Sequence, residues 1–106
     1  MRLLIHSEAG LWLAFRGALT LPFELPLPLA ERPCDNCTAK PCLTACPVGA
    51  LTAAGYDVPA CHAFLDSPAG ADCLTQGCAV RRACPVSESH ARLPAQSAYH
   101  MSRFHP

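Results

Sequence analysis

Eight cysteines in 106 residues, arranged as two runs of four, constrain this chain more than any apolar pattern does. The first run is Cys34, Cys37, Cys42 and Cys46, followed by Pro47; the second is Cys61, Cys73, Cys78 and Cys84, followed by Pro85. A chain this short buries too little apolar surface to be secure without a staple, and bound metal or disulfides are the usual ones. The fold must therefore gather these sulfurs into groups. Eight thiolates are the ligand complement of two four-iron clusters, four to each.

Composition narrows the function classes. Lys plus Arg (8) balance Asp plus Glu (8), so no basic face is expected to track phosphates, and nucleic acid is excluded as a partner. The opening MRLLIH is too short for a secretory signal. The apolar stretch from Leu11 to Ala30 is broken by Arg16, Glu24 and prolines 22, 26 and 28, which argues against a membrane span. The expected setting is the cytoplasm, where eight cysteines point to metal ligands rather than disulfides. A phosphate loop, a paired carboxylate site and a Ser, His and acid arrangement are all missing from the sequence, so catalysis by the chain alone is not expected.

Read for organisation, residues 1–106 form one expected domain in four parts. Residues 2–6 (RLLIH) and 11–21 (LWLAFRGALTL) flank the turn-like Ser7, Glu8, Ala9 and Gly10, and Leu11, Leu13, Phe15, Leu19 and Leu21 alternate as in a strand. This predicts a β-hairpin over 1–21, with Trp12 on its opposite face. Residues 22–33 (PFELPLPLAERP) should run as an extended proline-rich linker. Residues 34–85 carry every cysteine. The tail, 86–106, predicts a helix from Pro94, with Leu93, Ala95, Ala98, Tyr99 and Phe104 as packing residues. The fold class expected is α+β, with short helices around two clusters and an N-terminal hairpin.

The cysteine spacing carries the chemistry. Two residues separate Cys34 from Cys37, so one loop can wrap adjacent corners of a cubane, and Cys46 lies one helical turn beyond Cys42. A pair of four-cysteine zinc sites would use the same residues, and the CxxC at Cys34 and Cys37 could also open a zinc knuckle. Against zinc, only one strict CxxC is present, and both runs end in Cys-Pro. Disulfides are the third reading.

Together, CDNCTAKPCLTACPVGA and the two Cys-Pro endings resemble the 8Fe bacterial-type ferredoxins. The likeness is closer to the two-cluster module of epoxyqueuosine reductase, an iron-sulfur and cobalamin enzyme of tRNA modification. It rests on GLWLAFRGALTLPFELPLP ahead of the cysteines, on CLTACPVGAL, and on the lone Cys61 ahead of Cys73, Cys78 and Cys84-Pro85. It covers residues 10–86. The resemblance implies a small ferredoxin-like domain in which the fourth cysteine of each run crosses to the other cluster. It then implies Cys34, Cys37, Cys42 and Cys84 as ligands of one 4Fe-4S cluster, and Cys46, Cys61, Cys73 and Cys78 as ligands of the other. Its pattern has two residues between the second and third cysteines, where Thr38, Ala39, Lys40 and Pro41 make four here. Four residues also separate Cys73 from Cys78, and five separate Cys78 from Cys84. At this length the chain is expected to supply the electron-transfer module without a cobalamin or catalytic domain.

The expected function is single-electron transfer between redox protein partners, a reductase and an acceptor enzyme. The alternatives are a dedicated electron-delivery subunit of a cobalamin or other redox enzyme, and a zinc-stabilised interaction module. The unpaired N-terminal strand is expected to cover the cluster domain or to pair with a second copy as a homodimer. Asp57 reads as a helix N-cap that places Cys61 in the first turns of a helix. His62 adjoins Cys61, but four cysteines per cluster leave no vacancy for it; His6, His90, His100 and His105 read as solvated or terminal. Arg81 and Arg82 either face solvent, form a docking patch for an acidic partner, or raise a cluster potential.

Overall fold

The computed structural model describes residues 3–28 and 31–106. Five short helices occupy the second half: α1 Val58–Leu65, α2 Ala71–Gln76, α3 Ala79–Arg82, α4 Pro85–Ser89 and α5 Pro94–Phe104. Three-residue 3-10 turns lie at Pro33–Asp35, Pro41–Leu43 and Pro68–Gly70. Proline sets the start of most of these elements, since its fixed φ suits a first helical turn and its missing N–H is not needed there. Asp57 caps α1, its Oδ1 accepting the Ala60 N–H at 2.9 Å. Gly77 ends α2 at φ 91°, a conformation that other residues adopt only with strain.

The α+β class and its N-terminal β-hairpin are not what the chain forms: among the described residues there is no strand, and the protein is a small assembly of helices and coil. At the N-terminus the nearest approach to a hairpin is the bridge from His6 to Gly10, closed by His6 N–H to Gly10 O (2.9 Å) and Gly10 N–H to His6 O (3.0 Å). The reason lies in where the next backbone groups go. The Leu11 N–H is taken by Ser87 Oγ at 2.7 Å, and the carbonyls of Leu11 and Leu13 by the Arg81 guanidinium. Groups that a ladder would use are committed to side chains from α3 and α4, and the alternation after Leu13 meets no sheet. Residues 14–28 then run exposed, with Phe15 71 % and Leu19 91 % accessible. This arm accounts for a radius of gyration of 15.2 Å, against roughly 13 Å for a compact chain of this length. Arg2 of the expected first strand, and Leu29 and Ala30 of the expected linker, lie outside the described residues.

The core is small. Leu11, Leu51, Val80 and Cys84 bury one another, and Leu3, Ile5, Cys42, Ala45, Cys46, Cys78 and Val86 pack around them. Cysteines thus stand where a larger domain would have aliphatic side chains. A second contact joins α2 to α5, where small residues let the chains approach: a Cβ at Gly77 would lie 3.0 Å from both Trp12 and Ser97. The buried residue of α5 is accordingly Ser97, whereas Leu93, Ala95 and Tyr99 are exposed, contrary to the packing face expected from sequence. Trp12 is not on an outer strand face; it lies beneath Arg92, whose Cζ is 4.6 Å from the ring centroid. No helix among the described residues is long and apolar enough to cross a membrane.

Candidate metal centre

Two cavities of about 330 Å³ take up the cysteines four at a time. Site I is lined by Cys34, Cys37, Cys42 and Cys84, and site II by Cys46, Cys61, Cys73 and Cys78. In this division Cys46 leaves the company of the first run and Cys84 that of the second. No disulfide joins any of the eight. The apolar core forms the partition: Leu11 and Val86 face site I, Leu51 and Val80 face site II, and Leu3 lines both.

Local structure explains most of these placements, while Cys37 lies in coil just beyond the Pro33–Asp35 turn. Cys34 and Cys42 sit in the 3-10 turns that begin at Pro33 and Pro41. Cys84 is the N-cap residue of α4, and Pro85 turns the chain into the helix directly behind it. In site II, Cys61 and Cys73 ride on α1 and α2, and Cys78 is the N-cap residue of α3. Cys46 precedes a loop whose next residues fold back over its sulfur.

The thiols differ in their surroundings. Burial raises the pKa of Cys42, and the negative charges that Cys84, Cys34 and Cys37 would carry raise it further. As thiolates, sulfurs sharing one cavity would repel one another, and either protonation or a bound cation relieves that repulsion. Burial also acts to raise Cys46, but hydrogen bonds from the backbone N–H groups of Leu51, Val48, Ala50 and Gly49 outweigh it, and the net shift is downward. Such N–H groups are the kind of donor that bridges to a cluster's sulfur ligands.

Tyr56 is the polar side chain that the sequence did not single out. Its hydroxyl donates to Cys61 Sγ at 3.4 Å, and its pKa is raised by burial, by that bond, and by the charges of Cys61 and Cys78, with Arg81 acting in the opposite sense. A turn over residues 52–55 sets it there, closed by Thr52 N–H to Gly55 O at 2.9 Å and by the bridge between Leu51 and Tyr56. A tyrosine five positions before a candidate ligand, in a turn ahead of an N-cap, was the available signal.

The arginines and the tail also differ from expectation. Arg81 lines site II and anchors the N-terminal coil; Arg82 pairs with Asp72 and donates to Gly77 O at 3.0 Å. Arg92, unremarked in the sequence, also lines site II. His105 is not a free terminal residue: its Nε2 lies 2.9 Å from Asp66 Oδ1, and its Nδ1 lies 2.6 Å from Nδ1 of His62. His62 in turn packs on Phe104 at 4.7 Å between centroids. Helix α5 thereby closes over site II.

Among the described residues, no group of three or more His, Cys, Asp or Glu side chains is placed to hold a metal ion. The sulfurs line a cavity instead of converging on a point. A single zinc ion needs four sulfurs about 2.3 Å from one centre. A cubane instead holds its ligands apart by its own width and fills the space between them. Four thiols around a largely apolar cavity supply the donor chemistry that such a cluster requires. Compared with family models, curated proteins and solved structures, the chain matches none.

Proposed function

We propose that this chain is an electron-transfer protein that holds one 4Fe-4S cluster in site I and another in site II. The observation that carries this reading is the division of eight cysteines into two cavities of four, separated only by an apolar partition. A bound cluster supplies reversible one-electron chemistry in which no bond to a substrate is made or broken. The chain's own residues hold the sulfurs, exclude water with Leu3, Leu11, Leu51 and Val80, and aim N–H and O–H groups at Cys46 and Cys61. Cysteines that serve as cluster ligands belong in a reducing compartment, and the reading places the chain in the cytoplasm on that ground. The partners in this reading are a one-electron donor protein and an acceptor enzyme.

Iron and acid-labile sulfide in the anaerobically purified protein, with an EPR spectrum after dithionite reduction, test it. About eight iron and eight sulfide per chain are expected, as two four-iron clusters require. Zinc without sulfide would overturn the reading in favour of a zinc-stabilised interaction module.

A second reading, a dedicated electron-delivery subunit of a cobalamin or other redox enzyme, is favoured by the exposed arm. Phe15, Leu19, Phe23, Leu25 and Leu27 are each more than half accessible, which suits burial against one fixed partner. Recovery of one stoichiometric enzyme with the tagged chain, lost on deleting residues 14–28, favours that reading. Self-association through the same arm appears instead as a doubled mass in sedimentation.

A further inference from the structure

The two sites are built with unequal support for negative charge. Site II has the Tyr56 hydroxyl on Cys61 Sγ at 3.4 Å, and the guanidinium groups of Arg81 and Arg92 in its wall. Both guanidiniums are held in place. Arg81 donates to the carbonyls of Leu11 and Leu13, and Arg92 lies over Trp12 while its Nε donates to Ser97 Oγ at 3.0 Å. Site I is walled by Leu3, Ile5, Leu11, Leu43 and Val86, and among the described residues the one charged side chain in its lining is the exposed Lys40.

We infer that site II holds the higher-potential cluster of the pair, and that Tyr56 sets the gap through its hydrogen bond to Cys61. This rests on the two-cluster reading. Reduction adds an electron to a centre that is already anionic, so donors to its sulfur ligands and nearby fixed cations stabilise the reduced form and raise the potential. Solvent weakens such effects: Arg81 and Arg92 are both partly buried, while Tyr56 is 42 % accessible and acts through its direct bond to the sulfur. With both clusters bound, the one in site II would be reduced first and the one in site I only at lower potential. Tyr56 is a positioning and tuning residue; its ring also stacks on Phe104 at 6.3 Å, a contact that phenylalanine would keep.

An EPR-monitored redox titration of the iron-loaded protein tests this. Cys37→Ser, which alters the signal of site I, assigns the two steps. The expected result is two resolved steps with the upper one at site II, and a downward shift of that step alone in Tyr56→Phe. A single unresolved step in the wild type, or an upper step at site I, overturns the ordering. If Tyr56→Phe loads both clusters and shifts neither, Tyr56 has no tuning role. Should that variant fail to load site II, the wild-type ordering still decides the first part. Protein purified without iron and sulfide removes the two-cluster reading itself, whereas loaded protein with unshifted steps removes only this inference.

Discussion

Ser87 Oγ accepts the backbone N–H of Leu11 at 2.7 Å, joining residues 76 positions apart at a point where Ser87 is 1 % and Leu11 4 % accessible. This bond fixes the N-terminal coil against α4, directly behind Cys84. Ser87→Ala leaves a buried N–H without a partner, which costs about 1–3 kcal/mol. Thermal unfolding should fall by several degrees, at roughly 4–8 °C per kcal/mol for a domain near this size. Gly10→Ala should do similar harm from the other side, since Gly10 has φ 59° and a Cβ there would collide with the Ser87 backbone. An unchanged melting temperature in both variants would show that the coil is not anchored there.

The division of the cysteines makes a second prediction, one that counts metal. If Cys37 and Cys84 serve one site, removing both should cost no more metal than removing either: Cys37→Ser/Cys84→Ser retains about half of the iron and sulfide, as one intact four-iron site requires. Cys37→Ser/Cys78→Ser damages both sites and should retain little. Loss of nearly all the metal in Cys37→Ser/Cys84→Ser, with about half retained in Cys78→Ser/Cys84→Ser, would regroup the ligands by run instead of by cavity.

Legibility in the sequence followed the range of each interaction. Asp57 capping α1 and Pro94 opening α5 depend on residues within one turn, and their chemistry is visible in a short window. The hairpin failed because its alternation is local, whereas what decides the conformation of Leu11 and Leu13 is Ser87 and Arg81, about seventy positions away. A strand pattern specifies a strand only when a sheet is there to receive it. The packing face of α5 was misread for a related reason. Apolar size favoured Leu93 and Tyr99, but close approach at Gly77 selected small Ser97. The cysteine pattern itself was legible, since the number of cysteines and their Cys-Pro endings need no partner to be seen. Tyr56, Arg92 and His105 were not, because each gains its role only when a turn or a chain reversal delivers it to site II.

Thiol reactivity of the metal-free protein follows from the contrast between Cys46 and Cys42. The thiolate is the nucleophile, and an ordinary cysteine is half ionised near pH 8.5, or about there. Cys46 lies below its ordinary value, so its thiolate is already populated on the acid side of that midpoint; Cys42 lies above, so its thiolate appears only as the pH rises past it. With both residues about equally shielded, iodoacetamide near pH 7.5 should label Cys46 ahead of Cys42, and the gap should narrow as the pH is raised. Peptide mass spectrometry of timed samples measures this. Equal labelling at pH 7.5 would mean that the backbone N–H groups of residues 48–51 do not reach the Cys46 sulfur.

The C-terminal closure over site II depends on His105, which bridges Asp66 and His62 while the adjacent Phe104 packs on His62. His105→Ala removes both polar contacts at once but leaves Phe104, so the last turn of α5 should fray without the helix being lost. Each hydrogen bond of this kind contributes on the order of 1 kcal/mol, enough to raise the open population several-fold. Trypsin cleavage after Arg103, which lies in that turn, should accelerate accordingly. His62→Gln should accelerate it less, because Asp66 still holds His105 and the glutamine side chain can still meet it. Equal cleavage rates in all three proteins would mean that α5 is held over site II by its other contacts, such as Phe104 on Tyr56 and its packing on α2.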